Sequence, residues 1–269
     1  MDHKKVIEAN RKAWNEALPY HRRGRRIDLH KEFARSGFSV LDDIITAKLK
    51  EIGLDGKAVV QLCCNNGREL LSLVNLGAKS GVGFDLSEAF IAEANELKRI
   101  AGLDCTFVET NVLDIGREYH GKFDLAFITI GALCWIPDLS RFFEIVHDIL
   151  KDKGDLVIYE SHPFIYTLAM EDEEGFEPER PVNPVYSYFK SDPWTEAGLD
   201  YYGNEKYDAT VHYSFTQKFS DIVNPIAQNG LIVRELQEYP HDISNGFAHI
   251  ENKKILPLSY MLHCRKSSR

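Results

Sequence analysis

The chain has 269 residues, 44% hydrophobic and 27% charged, a composition typical of a globular protein with a buried core. Its net charge of −9 disfavours sequence-independent binding to nucleic acid, and no apolar run approaches the roughly 20 residues that span a bilayer. The five cysteines form no C-x-x-C pair and the N-terminus lacks a signal-peptide pattern, so we expect a cytoplasmic protein with no nucleic-acid, membrane or metal partner.

Two helices are predicted in the N-terminal part. Apolar residues recur at helical spacing over 2–18, and that helix is expected to end before Pro19. The segment 37–52 repeats the pattern and is closed by Gly53. Between the helices, the basic run 21–26 is interpreted as a solvated, flexible turn. A contact with an anionic substrate, a partner protein or RNA is the alternative.

From residue 57 onward, short apolar runs alternate with helical segments. Strands are predicted at 58–62, 80–84, 105–109, 123–130 and 155–160, and helices at 68–76, 87–100 and 137–150. Strands and helices that alternate at this spacing form crossover units. The sequence therefore predicts an α/β fold with a doubly wound, mostly parallel sheet and helices on both faces.

The alternation stops after residue 161. Residues 163–205 are rich in proline and aromatic side chains and include the acidic run 171–174. This stretch is too aromatic for a disordered linker, so we interpret it as an irregular cap over a site. Further strands are predicted at 210–217, 231–238 and 257–264, with a helix at 219–229.

The candidate ligand site follows the first three strands, because a doubly wound sheet binds ligands outside the carboxyl ends of its strands. The first turn keeps only Gly67 of a three-glycine fingerprint, although Asn65 can adopt a positive φ; a simple strand-to-helix connection is the alternative. Asp85 stands where a carboxylate can accept hydrogen bonds from both ribose hydroxyls of an adenosine ligand, or act as a helix N-terminal acid. Asn111 could bind adenine with Val112 packed on the ring, or be an ordinary loop residue.

These motifs resemble the class I S-adenosylmethionine-dependent methyltransferases, and most of all the small-molecule enzymes related to the ubiquinone and menaquinone biosynthesis methyltransferases. That family has acidic-x-G-x-G-x-G after strand one, an acid after strand two, an acid or Asn after strand three, F-D-x-(V/A) in strand four and L-K-x-G-G before strand five. The matching positions are Gly67, Asp85, Asn111, 123–126 and 150–155, and 14–20 resembles the family's lid helix. Gln61 replaces the first acid, and Cys63 and Asn65 replace two glycines.

The resemblance implies a Rossmann-like, doubly wound fold with a mostly parallel seven-stranded sheet, and S-adenosylmethionine as the cofactor of methyl transfer to a small molecule. It divides the chain into an N-terminal helical lid (1–56), a cofactor-binding core (57–162), a cap insertion (163–209) and the C-terminal part of the sheet (210–269). The implied cofactor-binding residues are Tyr20, Gln61, Cys63, Asn65, Gly67, Asp85, Leu86, Asn111, Val112, Thr129 and Ile130.

The acceptor side of the site is less defined by sequence. The candidate catalytic residues are His162, directly after predicted strand five, His212 and Tyr20. The candidate acceptor-binding residues are Trp135, His162, Trp194 and His241. A structural or surface role is the alternative for each histidine, and the oligomeric state stays open.

Three other functions are considered. The altered first turn raises the hypothesis that the chain is a non-catalytic regulatory protein that binds S-adenosylmethionine or S-adenosylhomocysteine. A protein or RNA methyltransferase would present an open basic groove, whereas the aromatic cap favours an enclosed pocket for a small molecule. The missing glycines disfavour a nicotinamide-dependent oxidoreductase.

Overall fold

The computed structural model describes residues 2–200, 202, 207–251 and 253–268. The strands are β1 (Ala58–Leu62), β2 (Ser80–Asp85), β3 (Cys105–Glu109), β4 (Phe123–Thr129), β5 (Leu150–Ser161), β6 (Trp194–Ala197), β7 (Val211–Ser214), β8 (Leu231–Tyr239) and β9 (Ser259–Lys266). The helices are α1 (His3–Gly24), α2 (Leu29–Phe33), α3 (Asp43–Ile52), α4 (Arg68–Asn75), α5 (Glu88–Ala101), α6 (Leu139–Ile149), α7 (Phe219–Gln228) and α8 (Ala248–Glu251).

The centre of the molecule is a seven-stranded sheet in the order β3-β2-β1-β4-β5-β9-β8. Strands β1 to β5 are parallel, and β9 lies antiparallel between β5 and β8. The predicted doubly wound, mostly parallel seven-stranded sheet is confirmed. The strand order reverses between β1 and β4, where a crevice forms at the carboxyl ends of the strands.

Helices cover both faces of the sheet, which explains why the central strands are apolar almost throughout. Val60 of β1 is fully buried on the face covered by α6 and α7, where Phe142 and Ile226 pack. Val59 is fully buried on the opposite face, in the core that includes Leu71 of α4 and Leu97 of α5. Burying each of these side chains contributes roughly 1.5–3 kcal/mol.

Helix α1 continues through Pro19, so the prediction that it ends before this residue is wrong. An internal proline removes one helical hydrogen bond and typically costs about 3 kcal/mol, which other contacts must offset. Arg22 and Arg25 provide such contacts, because both pair with the buried carboxylate of Glu93 on α5. The basic run 21–26 is therefore not a solvated turn, since the Arg25 side chain is only 8% exposed.

The predicted strand at 210–217 does not join the main sheet. Its N-terminal part contains β7, which pairs antiparallel with β6, and the two form a separate small sheet. This small sheet is held against α1, where the Asn10 amide donates to the Tyr213 carbonyl and accepts from the Tyr213 N–H, both at 2.8 Å. Asn10 thus satisfies the backbone groups that a further strand would otherwise satisfy. The lid, core and cap boundaries remain a prediction.

Within the ranges that the structure describes, no helix combines the length and hydrophobicity needed to cross a membrane.

Candidate functional site

The candidate site lies where β1, β2 and β4 end. Contacts between the strand ends hold its walls together: the Gln61 amide in β1 donates to the Thr129 hydroxyl in β4, with 3.1 Å between Nε2 and Oγ1. The N–H of Asn65 in the turn after β1 donates to Asp85 at the end of β2, at 2.7 Å. The structure therefore brings together the first two motifs of the sequence analysis.

The turn after β1 keeps a left-handed backbone at every position where the family pattern has glycine. Cys63, Asn65 and Gly67 have φ values of 56°, 50° and 72°. Asparagine adopts this conformation more readily than most residues, whereas cysteine is disfavoured there by about 1–2 kcal/mol. At Gly67 a Cβ atom would also lie 2.3 Å from the Phe107 ring, so close packing against β3 requires glycine. The turn therefore has positive φ at all three positions although only one of them is glycine.

Asp85 is positioned to accept further hydrogen bonds. Its carboxylate accepts from the N–H groups of Asn65 at 2.7 Å and Ser87 at 2.9 Å. Burial raises the pKa of the carboxyl, and these backbone donors oppose that shift. A carboxylate offers about four lone-pair sites, so acceptor capacity remains for ligand hydroxyls. Ser87, not Asp85, caps α5 by accepting from the Phe90 N–H, which favours the ligand role over the helix-cap role.

A second buried acceptor at the strand ends has no partner in the protein. Gln61 is 2% exposed, and its Oε1 has no hydrogen-bond donor within the described residues. Leaving a buried acceptor unsatisfied costs about 1–3 kcal/mol. The amide oxygen therefore fits a donor from a ligand, such as the ammonium group of a methionine moiety. Ile130, directly after β4, is 44% exposed and offers an apolar contact nearby.

In the loop after β3, the Asn111 side chain makes more hydrogen bonds within the loop than expected. Asn111 accepts from the Leu113 N–H at 3.2 Å and donates to the Asp114 carboxylate at 2.8 Å, so its side chain caps the turn Val112–Asp114. Only one Asn111 amide hydrogen is left for a ligand. Val112 is buried in the core, and Leu86, next to Asp85, is half-buried. The contacts of Asn111 and Val112 with adenine, and of Leu86 with the cofactor, stay predictions.

Helix α1 lies across the strand ends. Trp14 makes edge contacts with Phe90 at the start of α5 and with Trp135 in the loop after β4, at ring-centroid distances of 5.7 and 5.2 Å. Tyr20 stacks on Tyr207, with 3.9 Å between centroids, and so lies against the cap region. The aromatic residue of α1 that joins the two sides of the crevice is therefore Trp14.

Glu93, which the sequence analysis missed, connects α1, α5 and the turn after β1. It is 2% exposed and binds Arg25 through both carboxylate oxygens at 2.7 Å, Arg22 at 2.9 Å and the Asn66 amide at 3.0 Å. The net effect of its surroundings is that the pKa of Glu93 lies below its usual value: burial favours a higher pKa, but the bonds to the arginines outweigh burial. In the sequence, the sign of this role was an acidic residue on the otherwise apolar face of the predicted helix, next to Ala94.

Glu160 at the end of β5 was also missed. Its buried carboxylate accepts from the N–H groups of Gly131 and Ala132 at 2.6 Å and of Leu133 at 3.0 Å. Burial raises the pKa of Glu160, and the three donors oppose that shift. Glu160 fixes the loop that carries Trp135. Its position at the carboxyl end of a buried strand was the available signal.

His162 has no lone pair available in this structure. Its Nδ1 accepts from the Phe164 N–H at 3.1 Å, so its Nε2 carries the proton and donates to Glu238 at 3.0 Å. A general base needs an unshared lone pair directed at the substrate. The geometry therefore gives His162 a role in holding the connection after β5, contrary to our expectation of a base.

His212, unlike His162, has a ring nitrogen without a hydrogen-bond partner in the described part of the chain. It is 2% exposed, its Nε2 lies 3.6 Å from the Glu196 carboxylate, and its buried Nδ1 has no partner in the described part of the chain. Its ring lies 5.5 Å from that of Trp135. Of the predicted catalytic residues, His212 combines an available ring nitrogen with contact to the loop after β4.

The other two predicted acceptor contacts have local partners. His241 bonds with Glu251 of α8, and Trp194 donates to the Thr216 hydroxyl at 2.9 Å and packs edge-on against Tyr186. These contacts place His241 with the C-terminal segment and Trp194 with the cap. Binding of the acceptor by either residue stays a prediction.

Comparison with known proteins agrees with this geometry. Residues 59–154 match the family described as a methyltransferase domain, whereas no curated protein matches the sequence. A putative S-adenosylmethionine-dependent methyltransferase from Listeria monocytogenes is 18% identical with a TM-score of 0.61, covering 82% of this chain and 97% of that one.

Two further solved structures share the fold. Magnesium protoporphyrin IX methyltransferase from Synechocystis PCC 6803 with bound S-adenosylhomocysteine is 17% identical, with a TM-score of 0.59 and coverage of 99% and 100%. Geranyl diphosphate C-methyltransferase from Streptomyces coelicolor is 13% identical, with a TM-score of 0.54 and coverage of 83% and 78%. At these identities the likenesses show a common fold.

Proposed function

We propose that this chain, which belongs to the class I S-adenosylmethionine-dependent methyltransferases, transfers a methyl group to a small-molecule acceptor. The predicted family, enzyme class and cofactor are confirmed by the match over 59–154, while the relation to quinone biosynthesis stays a prediction. The turn after β1 has a left-handed backbone at Cys63 and Asn65, the conformation that glycines would allow, and this supports a cofactor site with the altered residues. A non-catalytic binding protein stays the alternative.

One observation carries the proposal of a small acceptor: the loop after β4 is covered from two sides. Trp135 is packed between Trp14 of the N-terminal helix and His212 of the small sheet. An enclosed, aromatic site suits a small molecule better than a protein or RNA chain. The magnesium protoporphyrin and geranyl diphosphate enzymes, which share the fold, also act on small molecules.

The residues at the strand ends fit the cofactor. When bound, S-adenosylmethionine supplies an electrophilic methyl group on a positively charged sulfur. Asp85 would accept from the ribose hydroxyls, and the unpartnered Gln61 oxygen would accept from the ammonium group. The aromatic faces of Trp14 and Trp135 exclude water from the reacting atoms and favour a cation nearby.

His212 supplies the proposed general base. Its Nδ1 accepts the proton that the acceptor loses, while the Glu196 carboxylate facing Nε2 stabilises the resulting imidazolium. The interaction with His212 in turn lowers the pKa of Glu196 below its usual value, so this carboxylate stays ionised. His162 takes no part in this step, because both of its ring nitrogens are engaged by Glu238 and the Phe164 N–H. Tyr20 is stacked on Tyr207, and a catalytic role for its hydroxyl stays a prediction.

The test combines calorimetry with a transfer assay. We expect S-adenosylmethionine and S-adenosylhomocysteine, but not NAD, to bind at micromolar concentrations, and a small-molecule library to yield an acceptor that drives S-adenosylhomocysteine release. His212→Gln should then lower kcat/KM by about 10²–10⁴-fold at unchanged cofactor affinity. His263→Gln, at a histidine bonded to Asp155, is the control. Failure of both sulfur nucleosides to bind, or methylation of protein or RNA alone, would contradict the proposal.

A further inference from the structure

Helix α1 and the turn after β1 are bonded to the same buried carboxylate. Glu93 on α5 binds the guanidinium of Arg25, the residue that ends α1, through both of its oxygens at 2.7 Å. It also accepts from Arg22, in the last turn of α1, at 2.9 Å. Its partner in the turn is the Asn66 amide, which donates to it at 3.0 Å. A change at the end of α1 can therefore reach the turn through one side chain.

The arginines keep this carboxylate charged and in place. Glu93 is 2% exposed, and a buried charge is costly unless it is paired and hydrogen-bonded. Each oxygen accepts two bonds, so the two arginines and Asn66 together fill the four lone-pair sites. Without Arg25, burial would favour the protonated carboxyl or its movement toward water. Either change weakens the bond to Asn66, because a neutral acceptor binds less strongly and a displaced one is out of reach.

The turn depends on contacts of this kind to keep its shape. Cys63 and Asn65 have φ values of 56° and 50°, a conformation that side chains disfavour. Strained backbone persists only where the surrounding structure holds it. Asn66 lies inside the turn and is 1% exposed, and its bond to Glu93 ties the turn to α5. The Glu93 carboxylate is thus one of the contacts that hold the left-handed turn.

We propose that Glu93 is a positioning residue for cofactor binding. It holds the turn after β1 in its cofactor-binding geometry while Arg22 and Arg25 are bonded to it, so these arginines raise the cofactor affinity through Asn66. The inference rests on the proposed function, because it takes this turn as part of the cofactor site. It adds a control of affinity from α1 that is separate from the proposed ribose contact of Asp85.

The first experiment measures the affinity for S-adenosylhomocysteine by calorimetry in the full chain. Arg25→Gln should raise the dissociation constant by about 5- to 150-fold, the usual range for coupling between two sites. Arg25→Lys keeps a positive charge beside Glu93 and should recover part of the affinity. Arg11→Gln is the matched control, because it breaks another ion pair between α1 and α5, with exposed Glu88 at 2.8 Å, and should leave the affinity unchanged. Melting temperatures of the same samples report stability separately, since a role in stability alone would lower them without changing the dissociation constant of the folded protein.

A double-mutant cycle tests the route through the turn. Asn66→Ala removes the bond from the turn to Glu93 and keeps both arginine pairs. If Glu93 acts through Asn66, Arg25→Gln should cause little further loss of affinity in the Asn66→Ala protein, whereas independent effects would add. Arg22→Gln, at an arginine whose side chain is 44% exposed, provides the same test with a smaller expected loss if Arg25→Gln does not fold.

Three outcomes would overturn the inference: unchanged affinity in folded Arg25→Gln, an equal loss in Arg11→Gln and Arg25→Gln, or additive losses in the double variant. In each of these cases, binding of S-adenosylhomocysteine by the wild type would still support the proposed function. No binding of S-adenosylhomocysteine to the wild type would contradict both.

Discussion

The Asp85 carboxylate offers the sharpest test of the cofactor site. Asp85→Ala removes an acceptor that already binds the N–H groups of Asn65 and Ser87 at 2.7 and 2.9 Å. Losing two charge-assisted bonds to ribose should weaken cofactor binding by about 2–4 kcal/mol, roughly 30- to 700-fold. The two N–H groups also lose their acceptor, so the free energy of unfolding should fall by about 1–3 kcal/mol.

Two companion variants separate binding from folding. Asp85→Asn keeps one carbonyl acceptor without the charge, so its affinity and stability should lie between those of the wild type and Asp85→Ala. Asp104→Asn makes the same change at an exposed residue before β3, at the opposite end of the strands, and should leave both quantities unchanged. Calorimetry with S-adenosylmethionine and S-adenosylhomocysteine gives the affinities, and chemical denaturation gives the stability. Near-wild-type affinity in folded Asp85→Ala would refute the ribose assignment.

Two further predictions concern backbone strain and pH. Cys63→Gly removes the backbone strain of a residue with φ of 56° and should raise the free energy of unfolding by up to about 1 kcal/mol. Calorimetry should show equal or tighter cofactor binding. Loss of binding would mean that the thiol holds the turn. Burial lowers the pKa of His21 to about 4, although its bond to the Leu199 carbonyl opposes this. The unfolded state therefore takes up the proton first, so stability is complete above about pH 6.5 and should fall by about 2 kcal/mol between pH 7 and pH 5. Chemical denaturation at pH 7 and pH 5 should show a smaller loss of unfolding free energy in His21→Gln than in the wild type. The control His30→Gln, at an exposed histidine, should show the same loss as the wild type. An equal loss in His21→Gln and the wild type would contradict this account.

Much of the geometry of the proposed cofactor site was predictable because local chemistry determines it. The parallel strands contain short apolar runs, and Ser87 caps α5 as its position suggests. Asp85 lies beside the turn because both follow neighbouring parallel strands, whose carboxyl ends meet at one edge of the sheet. The positive φ at Asn65 also agrees with the preferences of that residue.

The proposed acceptor side of the site was not predictable because it depends on partners distant in sequence. His162 and His212 look equivalent in the sequence, yet Glu238 and the Phe164 N–H occupy both nitrogens of one, while the other keeps Nδ1 unpartnered in the described structure. The histidine available as a base is therefore decided by which residues the fold brings against each ring.

By itself, the sequence determined the order of strands and helices along the chain, the edge of the sheet where we propose the cofactor site, and the family, because periodicity, turns and caps act over a few residues. Only the tertiary structure decided that β7 pairs with β6, that Glu93 joins α1 to α5, and that Glu160 faces Tyr260. A buried polar group is defined by the partners it has or lacks, and residues far apart in the chain supply those partners only after packing has excluded water.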